Sequence, residues 1–164
     1  NSWIIDPIDG TVNFLHGIPH CAISIALKSD DEIICGLIFD PIKDEMFYAE
    51  KNNGAFLNNQ RIRVSKKNNL DECLFAVGKL INEPNFTYRR SGCAALDIAY
   101  VASGRLDGYV QNKLNLWDIA AGIVLVKEAG GIINDIDLEN IKNINVLASS
   151  AEIYSKFSKK LVNF

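Results

Sequence analysis

Two aspartates near the start of the chain, Asp6 and Asp9, have the type and spacing that could do metal chemistry. They follow the apolar run Trp3–Ile5, which we predict to be the end of a buried strand, and only Pro7-Ile8 separates them. Two carboxylates brought together by such a turn repel each other. A hard cation with oxygen ligands, such as Mg²⁺, would hold both ionised near pH 7. The pair therefore predicts a divalent-cation site.

The two residues that follow, Gly10 and Thr11, extend this hypothesis to phosphate. They lead into a short helical segment predicted at residues 12–15, and free backbone N–H groups at a helix start favour an anion. A metal pair beside an anion site indicates phosphate-ester hydrolysis. An Asx turn without any ligand is the competing interpretation of DPIDGT, because Asp, Pro and Gly are common turn residues.

A near-copy of the motif, DPIK at residues 40–43, provides an internal comparison. It also follows an apolar strand, but Lys43 replaces the second aspartate and no Gly-Thr follows. In both copies, proline restricts the residue before it and ends the pairing of the strand. We therefore expect only the first copy to bind a metal, and we expect Asp40→Asn to be nearly silent.

A third carboxylate, Asp118, lies in the segment LWDIAAGIVLVKEAGG. The segment predicts an apolar helix over residues 117–131, with Asp118 as the N-cap and Gly130-Gly131 as the terminator. N-capping alone would account for this aspartate. The role of a metal ligand is compatible with it, since a capping carboxylate can also bind a cation.

The elements that must position these residues fall into two groups. Apolar β-rich runs at residues 21–28, 33–39, 45–49 and 54–62 predict an antiparallel sheet. After about residue 70, strands at 72–78, 106–110, 132–136 and 144–148 alternate with helices at 92–104, 117–131 and 151–162. The chain is therefore predicted to be α/β, with an antiparallel β-rich lobe at 1–70 and an α/β lobe at 71–164.

Composition excludes several classes of protein. With 164 residues, 48% of them hydrophobic, the chain suits one globular unit or two small lobes. Its net charge of −3 gives no basic footprint for nucleic acid. No apolar run approaches the ~20 residues that span a bilayer, and no signal-peptide pattern opens the sequence, so a cytoplasmic protein without membrane contact is expected.

The cysteines and histidines of the sequence fit structural roles better than catalytic or metal-binding ones. The four cysteines are widely spaced without a CxxC pair, which indicates reduced thiols. Cys93 would need a positioned base to act as a nucleophile, and the sequence shows none nearby. His16 and His20 have HxxxH spacing, but Gly17 and Pro19 oppose the helix that would align them for zinc. The GxxxxGK[ST], GxGxxG and GxSxG patterns are absent.

The segments WIIDPIDGTVNFLHGIP and LWDIAAGIVLVKEAGG together resemble the inositol monophosphatase family, including its bacterial SuhB-type members. GAFLNNQRIRVS and RRSGCAALDIAYVASGRLDGYV extend the resemblance over almost the whole chain. It implies the layered αβαβα sandwich of the inositol monophosphatase and fructose bisphosphatase folds. It further implies a homodimeric, lithium-sensitive, Mg²⁺-dependent phosphatase that hydrolyses inositol monophosphate or a related small polyol phosphate by two-metal activation of water.

The resemblance also assigns roles to individual residues. The metal ligands it implies are Asp6, Asp9, Asp118 and the backbone carbonyl of Ile8. Thr11 resembles the hydroxyl that helps to orient the attacking water, so Thr11 and Asp9 are the expected catalytic residues.

The residues implied to bind substrate lie in three places along the chain. Gly10 and Thr11 offer amide N–H groups to the phosphate, and the turn Gly92-Cys93-Ala94 matches the family's substrate-contacting turn. Gln111 stands seven residues before Asp118, where inositol-specific members resemble one another in having Glu. A neutral amide can still bind a polyol, but it weakens the assignment of inositol.

Two further differences from the family affect the prediction. The chain begins at Asn1 without an initiator methionine and without the N-terminal helical part that carries a metal-binding Glu in the family. We therefore expect an N-terminally incomplete chain, poorly active alone, with uncovered apolar surface that favours self-association. Between Lys79 and Arg89 the chain has only LINEPNFTY, which is shorter than in family members.

Two alternative functions remain open from the sequence. One is a SuhB-like protein-binding factor in transcription or ribosome assembly. The other is a phosphatase of the same superfamily that acts on another sugar or nucleotide phosphate.

Overall fold

The first part of the chain forms a six-stranded antiparallel sheet in the computed structural model, which describes residues 1–79 and 86–161. The strands follow in chain order across this sheet, each paired with the next. Its elements are β1 (Ser2–Asp9), α1 (Thr11–Leu15), β2 (Ala22–Ser29), β3 (Glu32–Asp40), β4 (Glu45–Glu50), β5 (Gly54–Leu57) and β6 (Gln60–Arg61).

The second part forms a mixed sheet with the order β10-β11-β9-β7-β8, after a 3₁₀ turn at Leu70–Glu72. The strand β7 pairs in parallel with β8 and β9, while β11 pairs antiparallel with β9 and β10. The elements are β7 (Leu74–Val77), β8 (Thr87–Arg89), α2 (Ala94–Ala102), β9 (Gly108–Leu114), α3 (Leu116–Glu128), β10 (Gly131–Ile133), β11 (Ile144–Ser150) and α4 (Ala151–Lys160).

Helices α2 and α3 pack against both sheets, and α4 packs against the other face of the second sheet. Successive residues of a strand point to opposite faces, so Ala76 faces the α2–α3 layer while Phe75 and Val77 face α4. Phe75 stacks on Phe157 of α4 with ring centroids 4.4 Å apart. The described residues thus form four layers, sheet, helices, sheet and helix, in the predicted α/β fold.

The two sheets lie on either side of residue 70, where the sequence predicts a boundary. One continuous apolar core nevertheless contains Ile38 of the first sheet, Leu96 and Ile119 of the helices, and Val146 of the second sheet. Division into separate lobes at 1–70 and 71–164 therefore stays an interpretation.

Strand β1 differs from its prediction. Among the described residues it pairs only with β2, so it is an edge strand, and Trp3 is 63% exposed and Ile5 54% exposed. The prediction of a buried strand was wrong here because apolar side chains indicate a strand but do not show how many layers cover it. The strand also continues past Pro7, through a register shift between Asp6 and Asp9, to a pairing of Asp9 with Ala22.

Strand β8 was not predicted from the sequence, since its three residues TYR carry no apolar alternation. Residues 80–85, most of the segment that is short relative to the family, lie outside the described residues. Among the residues that the structure describes, no helix is long and apolar enough to cross a membrane.

Candidate metal centre and active site

The last residues of β1 present Asp6 and Asp9 on an irregular strand edge. Pro7 has no N–H to pair with β2, and the strand bulges at this point. The Ile8 N–H turns back and donates to Asp6 Oδ1 at 3.0 Å, and the Thr11 hydroxyl donates to the Ile8 carbonyl at 2.8 Å. DPIDGT therefore forms the hydrogen-bonded turn that its residue types predict, and this turn positions the carboxylates of Asp6 and Asp9.

The Asp9 carboxylate is fixed by backbone groups from two elements. Its Oδ1 accepts from the Gly10 N–H at 2.8 Å, and its Oδ2 accepts from the Ala95 N–H of α2 at 2.6 Å. The Cys93 thiol also contacts Oδ2, at 3.2 Å. Burial raises the pKa of Asp9, although these hydrogen bonds oppose the effect. The carboxylate is thus positioned rigidly but is poorly solvated.

Asp118 reaches the same place from α3, but not as the predicted N-cap. The N-cap is Asn115, and Asp118 is the third residue of the helix, where its Oδ2 accepts from the Asn115 N–H at 2.8 Å. This is the carboxylate side of a capping box. The N-cap prediction was wrong because the helix begins at Leu116, three residues earlier than an N-cap at Asp118 would allow. Burial, followed by the charges of nearby carboxylates, raises the pKa of Asp118 to about 6.

The three aspartates converge although Asp118 comes from a different sheet–helix unit. One carboxylate oxygen from each of Asp6, Asp9 and Asp118 lies within 4.8 Å of the other two. The donor set contains only oxygen, which suits a hard divalent cation. Burial, with the charge of a neighbouring carboxylate, raises the pKa of both Asp9 and Asp118. A cation bound among these oxygens would favour the ionised carboxylates, so the donor set fits a hard divalent cation.

A cavity of about 460 Å³ opens beside the aspartates. Asp9, Asp118, Gly92, Ala94 and Gln111, all predicted site residues, line it. The Cys93 side chain instead is buried with its thiol against Asp9. The cavity therefore brings half of the predicted metal and substrate residues to one surface.

The predicted phosphate donors differ in their availability. The Gly10 N–H is already occupied by the Asp9 carboxylate. Gly10 has φ +80°, and a Cβ there would lie 2.9 Å from the His20 carbonyl oxygen, so the backbone at this point requires glycine. Thr11 is exposed at the first position of α1.

Asn13 is a site residue that the sequence reasoning missed. Its buried Nδ2 donates to the carbonyls of His20 and Ser91, each at 2.9 Å, and it lines the cavity. The amide thus ties α1 to the turn before α2. An amide inside an otherwise apolar stretch, VNFL, was the signal that could have indicated it.

Arg90 and Asp97 also line the cavity without having been predicted. Asp97 is only 4% exposed, and burial raises its pKa to about 7. A lone carboxylate in the apolar helix sequence AALDIAYV was a usable signal. Arg90 donates from Nη2 to the Gly78 carbonyl at 3.2 Å.

The surroundings of Cys93 and His20 indicate structural rather than catalytic roles. Burial raises the pKa of the Cys93 thiol, with the nearby Asp9 charge acting in the same direction, so the thiol is a poor nucleophile. The His20 ring packs edge-on against Tyr100 with centroids 6.3 Å apart. Within residues 1–79 and 86–161, the one cluster with metal-ligand spacing is the aspartate cluster, and it contains neither His16 nor His20.

The second Asp-Pro-Ile copy uses the same turn without a second carboxylate. The Ile42 N–H donates to Asp40 Oδ1 at 2.9 Å, as Ile8 does to Asp6, and Lys43 Nζ lies 2.6 Å from Asp40 Oδ2. Asp40 is fully buried. Its replacement would disturb the fold, so the expectation of a nearly silent Asp40→Asn does not suit the structure, and an exposed aspartate makes a better control.

Comparison with known proteins agrees with this geometry. The model of the inositol monophosphatase family matches residues 1–163. The chain belongs to this family. An inositol-1-monophosphatase of Mesorhizobium japonicum is 44% identical over 151 residues, which are 82% of this chain and 57% of that protein. The Nus factor SuhB of Escherichia coli K12 is 43% identical over 150 residues, which are 81% of this chain and 56% of that protein.

A solved structure gives the same result for the fold. The extragenic suppressor protein SuhB from Bartonella henselae superposes with a TM-score of 0.89 at 45% identity, covering 98% of this chain and 72% of that one. The family resemblance and the layered α/β fold of this inositol monophosphatase family member are thereby confirmed. The chain spans a little over half the length of the Mesorhizobium and Escherichia relatives.

Proposed function

We propose that this protein is a metal-dependent phosphomonoesterase that hydrolyses inositol monophosphate or a related small polyol phosphate. The observation that carries the proposal is the convergence of Asp6, Asp9 and Asp118 beside a cavity that Asp9 and Asp118 line. The family match and the name of the Mesorhizobium relative support the same class of reaction.

The cofactor we propose is Mg²⁺, held by Asp6, Asp9 and Asp118. The Ile8 carbonyl is a further ligand candidate, because the Thr11 hydroxyl uses only one of its two lone pairs. When bound, such ions polarise the phosphoryl oxygen and lower the pKa of a water molecule. An all-carboxylate cluster supplies the negative charge that retains a hard cation.

We propose that Thr11 orients the attacking water. Its hydroxyl proton is directed to the Ile8 carbonyl, so the lone pairs of Oγ1 remain free to accept a hydrogen bond. A water that donates to Oγ1 keeps its own lone pair available for phosphorus. Asp9 contributes by holding its carboxylate against the Gly10 and Ala95 amides, which fixes the reacting groups relative to α2.

The substrate is proposed to lie in the cavity between the aspartates and the start of α2. Gly92, Ala94 and Gln111 line this cavity. The Cys93 thiol contacts the Asp9 carboxylate behind the cavity lining. The Thr11 amide is the remaining donor of the predicted phosphate pair. The homodimer, lithium sensitivity and cytoplasmic location implied by the resemblance are further proposals, as is the poor activity of residues 1–164 alone.

A protein-binding role is the second candidate, favoured by the relative named Nus factor SuhB. Exposed apolar side chains of α1, among them Val12 at 69% and Leu15 at 76%, could contact a partner. This role does not require the aspartate cluster, which distinguishes it from the phosphatase.

Release of phosphate from inositol 1-phosphate, measured with and without Mg²⁺, tests the proposed function. Asp6→Asn removes one negative charge yet keeps an oxygen for the Ile8 N–H, so the turn survives. We expect it to lower turnover by ~10² to 10⁴-fold at limiting Mg²⁺, the size typical of losing one positioned catalytic group.

Asp30→Asn is the matched control, because Asp30 is exposed in the β2–β3 turn with φ +52°, which Asn tolerates well. It should retain the wild-type rate. Phosphate release that does not depend on Mg²⁺, or equal losses in both variants, would contradict the proposal.

A further inference from the structure

The turn at residues 91–95, which leads into α2, is attached to the β1–α1 connection at two points. At one point, the Ala95 N–H and the Cys93 thiol contact Oδ2 of Asp9, at 2.6 and 3.2 Å. At the other, the Ser91 carbonyl accepts a hydrogen bond from Asn13 Nδ2 at 2.9 Å. We call this second attachment the Asn13 tie. It joins two residues that are 78 positions apart in the chain.

The Asn13 amide uses both of its N–H donors within the protein. Besides the Ser91 carbonyl, Nδ2 donates to the His20 carbonyl, also at 2.9 Å. An amide NH₂ group has two donors, so the two carbonyls together fix the orientation of the side chain. Asn13 is only 8% exposed, and removal of its donors would leave both carbonyls without a partly buried hydrogen bond.

Gly92 provides the space that this amide occupies. The residue has φ +83°, and a Cβ there would lie 3.1 Å from Asn13 Nδ2, which is closer than side chains normally approach. The Ser91 hydroxyl oxygen accepts from the Cys93 N–H at 3.1 Å, so the turn is also hydrogen-bonded within itself. The turn and the Asn13 amide are therefore matched in shape as well as in hydrogen bonding.

The Asn13 tie lies in the wall of the aspartate cavity. Asn13, Ser91 and Gly92 line this cavity together with Asp9. The hydrogen bond between Asp9 and the Ala95 N–H involves a proposed metal ligand, whose carboxylate a cation would also attract. The Asn13 tie contains no proposed metal ligand. It therefore holds the turn in place independently of how Asp9 is engaged.

We propose that Asn13 is a positioning residue, which holds the turn at residues 91–95 against the β1–α1 connection and so places the backbone of Gly92 for substrate relative to the aspartates. This inference rests on the proposed function, because that function assigns the turn to the substrate. It separates two roles within one short connection: Asp6 and Asp9 bind the metal, and Asn13 positions the substrate turn.

Steady-state release of phosphate from inositol 1-phosphate with Mg²⁺ tests the inference. Asn13→Asp keeps the shape of the side chain but replaces the donor group with an oxygen that faces two carbonyls. We expect KM to rise about tenfold or more, while kcat and the Mg²⁺ concentration for half-maximal rate change by less than about twofold. A rise in KM at unchanged kcat is the result of losing binding that substrate and transition state share.

Asn13→Ala is the second variant, which removes the donors without adding a charge. It should raise KM in the same direction, so the test does not depend on the folding of the aspartate variant. A merely structural role would instead lower the fraction of active protein, which reduces the apparent kcat and leaves KM unchanged. Hydrogen exchange of the backbone amides at residues 91–95 should be faster in both variants, while exchange in β9 stays at the wild-type rate.

Asn58→Asp is the matched control. Asn58 Nδ2 also donates to a backbone carbonyl, that of Asp44, at 3.0 Å, but Asn58 is exposed and does not line the aspartate cavity. This variant should retain the wild-type KM and the wild-type exchange at residues 91–95. An equal rise in KM in the control, or a loss confined to kcat in the Asn13 variants, would overturn the inference.

The outcomes distinguish this inference from the proposed function. Mg²⁺-dependent release by the wild type, with unchanged KM in both Asn13 variants, would retain the phosphatase and overturn the positioning role. Absence of release by the wild type would overturn the phosphatase. Hydrogen exchange would then decide on the Asn13 tie, because unchanged exchange at residues 91–95 in both variants would overturn it and faster exchange would support it.

Discussion

At the scale of single residues, the aspartate cluster is unfavourable without a cation. Asp9 and Asp118 are both shifted toward the protonated form by burial, and the charge of a neighbouring carboxylate raises the pKa of each further. Hydrogen bonds from backbone amides partly offset the free-energy cost of burying these carboxylates and hold both side chains in place. A divalent cation would remove the repulsion, so binding of metal and stability should be linked.

Asp118 contributes to the pH dependence of stability, together with Asp97, whose pKa burial raises to about 7. The pKa of Asp118 in the folded protein is about 6 against an ordinary 3.8, so the folded state binds this proton more tightly than the unfolded state. The free energy of unfolding of the metal-free protein should therefore fall as pH rises from about 4 through about 6. Urea unfolding in a chelator, compared at about pH 5 and about pH 7.5, measures this decline.

Mg²⁺ should restore stability mainly at the higher pH, where protons no longer compete for the carboxylates. Asp118→Asn should reduce both the decline with pH and the stabilisation by Mg²⁺. A metal-free variant with the same pH profile as the wild type would show that Asp118 is not the group that titrates.

The residue types of the metal cluster could be predicted from the sequence, since two acidic residues that a short turn brings together repel each other unless a cation binds between them. Asn13 could not be assigned in the same way. Its importance depends on which carbonyls lie opposite it, and one of those partners is distant in the chain. Spacing along the sequence carries no information about such contacts.

At the scale of elements, the β1–α1 connection determines the geometry of the site. The strand bulges at Pro7, Gly10 takes a left-handed conformation, and α1 begins at once. The periodic strands and apolar helices were predicted close to their observed positions. The exposed edge position of β1 and the true N-cap of α3 were not, because both depend on packing with other elements.

Two glycines with similar backbone angles separate strain from packing in this connection. Gly10 (φ +80°) would place a Cβ 2.9 Å from a backbone oxygen, whereas Gly17 (φ +67°) has nothing within 4 Å. Gly17→Ala should lower the free energy of unfolding by only ~1 kcal/mol, the cost of the left-handed backbone. Gly10→Ala should cost more, on the order of 2–3 kcal/mol, and should also weaken Mg²⁺ binding because Asp9 must shift.

Urea unfolding of the two variants in parallel measures the difference. Equal destabilisation of both would mean that the close approach of Gly10 to His20 is relieved without displacing Asp9.

At the scale of the whole molecule, the metal cluster joins parts that are distant in sequence. Asp6 and Asp9 belong to the edge of the first sheet, while Asp118 belongs to the helix layer between the two sheets. The order of elements indicated this α/β arrangement. Which loops meet at one end of the sheets could be expected only through the family resemblance, because it follows from how the layers stack.

The exposed apolar surface of β1 and α1 predicts self-association of residues 1–164. Trp3 and Ile5 on the strand, with Val12, Phe14 and Leu15 on the helix, are each more than half exposed. Exposed apolar side chains concentrated within one short segment favour association with other apolar surface. Sedimentation velocity should show a mass that increases with concentration, and Trp3→Ser with Leu15→Ser should reduce it.

The control for that experiment is Ile141→Ser, which removes an apolar group that is 54% exposed elsewhere on the surface. It should leave the concentration dependence unchanged. A wild-type chain that remains monomeric at every concentration would contradict the prediction.

The most direct test of the central claim is to locate the metal. Crystals of the protein soaked in MnCl₂ would show anomalous scattering at any site that binds a divalent cation. We predict a peak enclosed by the carboxylates of Asp6, Asp9 and Asp118, and its loss in Asp118→Asn crystals grown in the same way. A peak that persists without the Asp118 carboxylate, or Mn²⁺ bound only elsewhere, would contradict a shared metal centre.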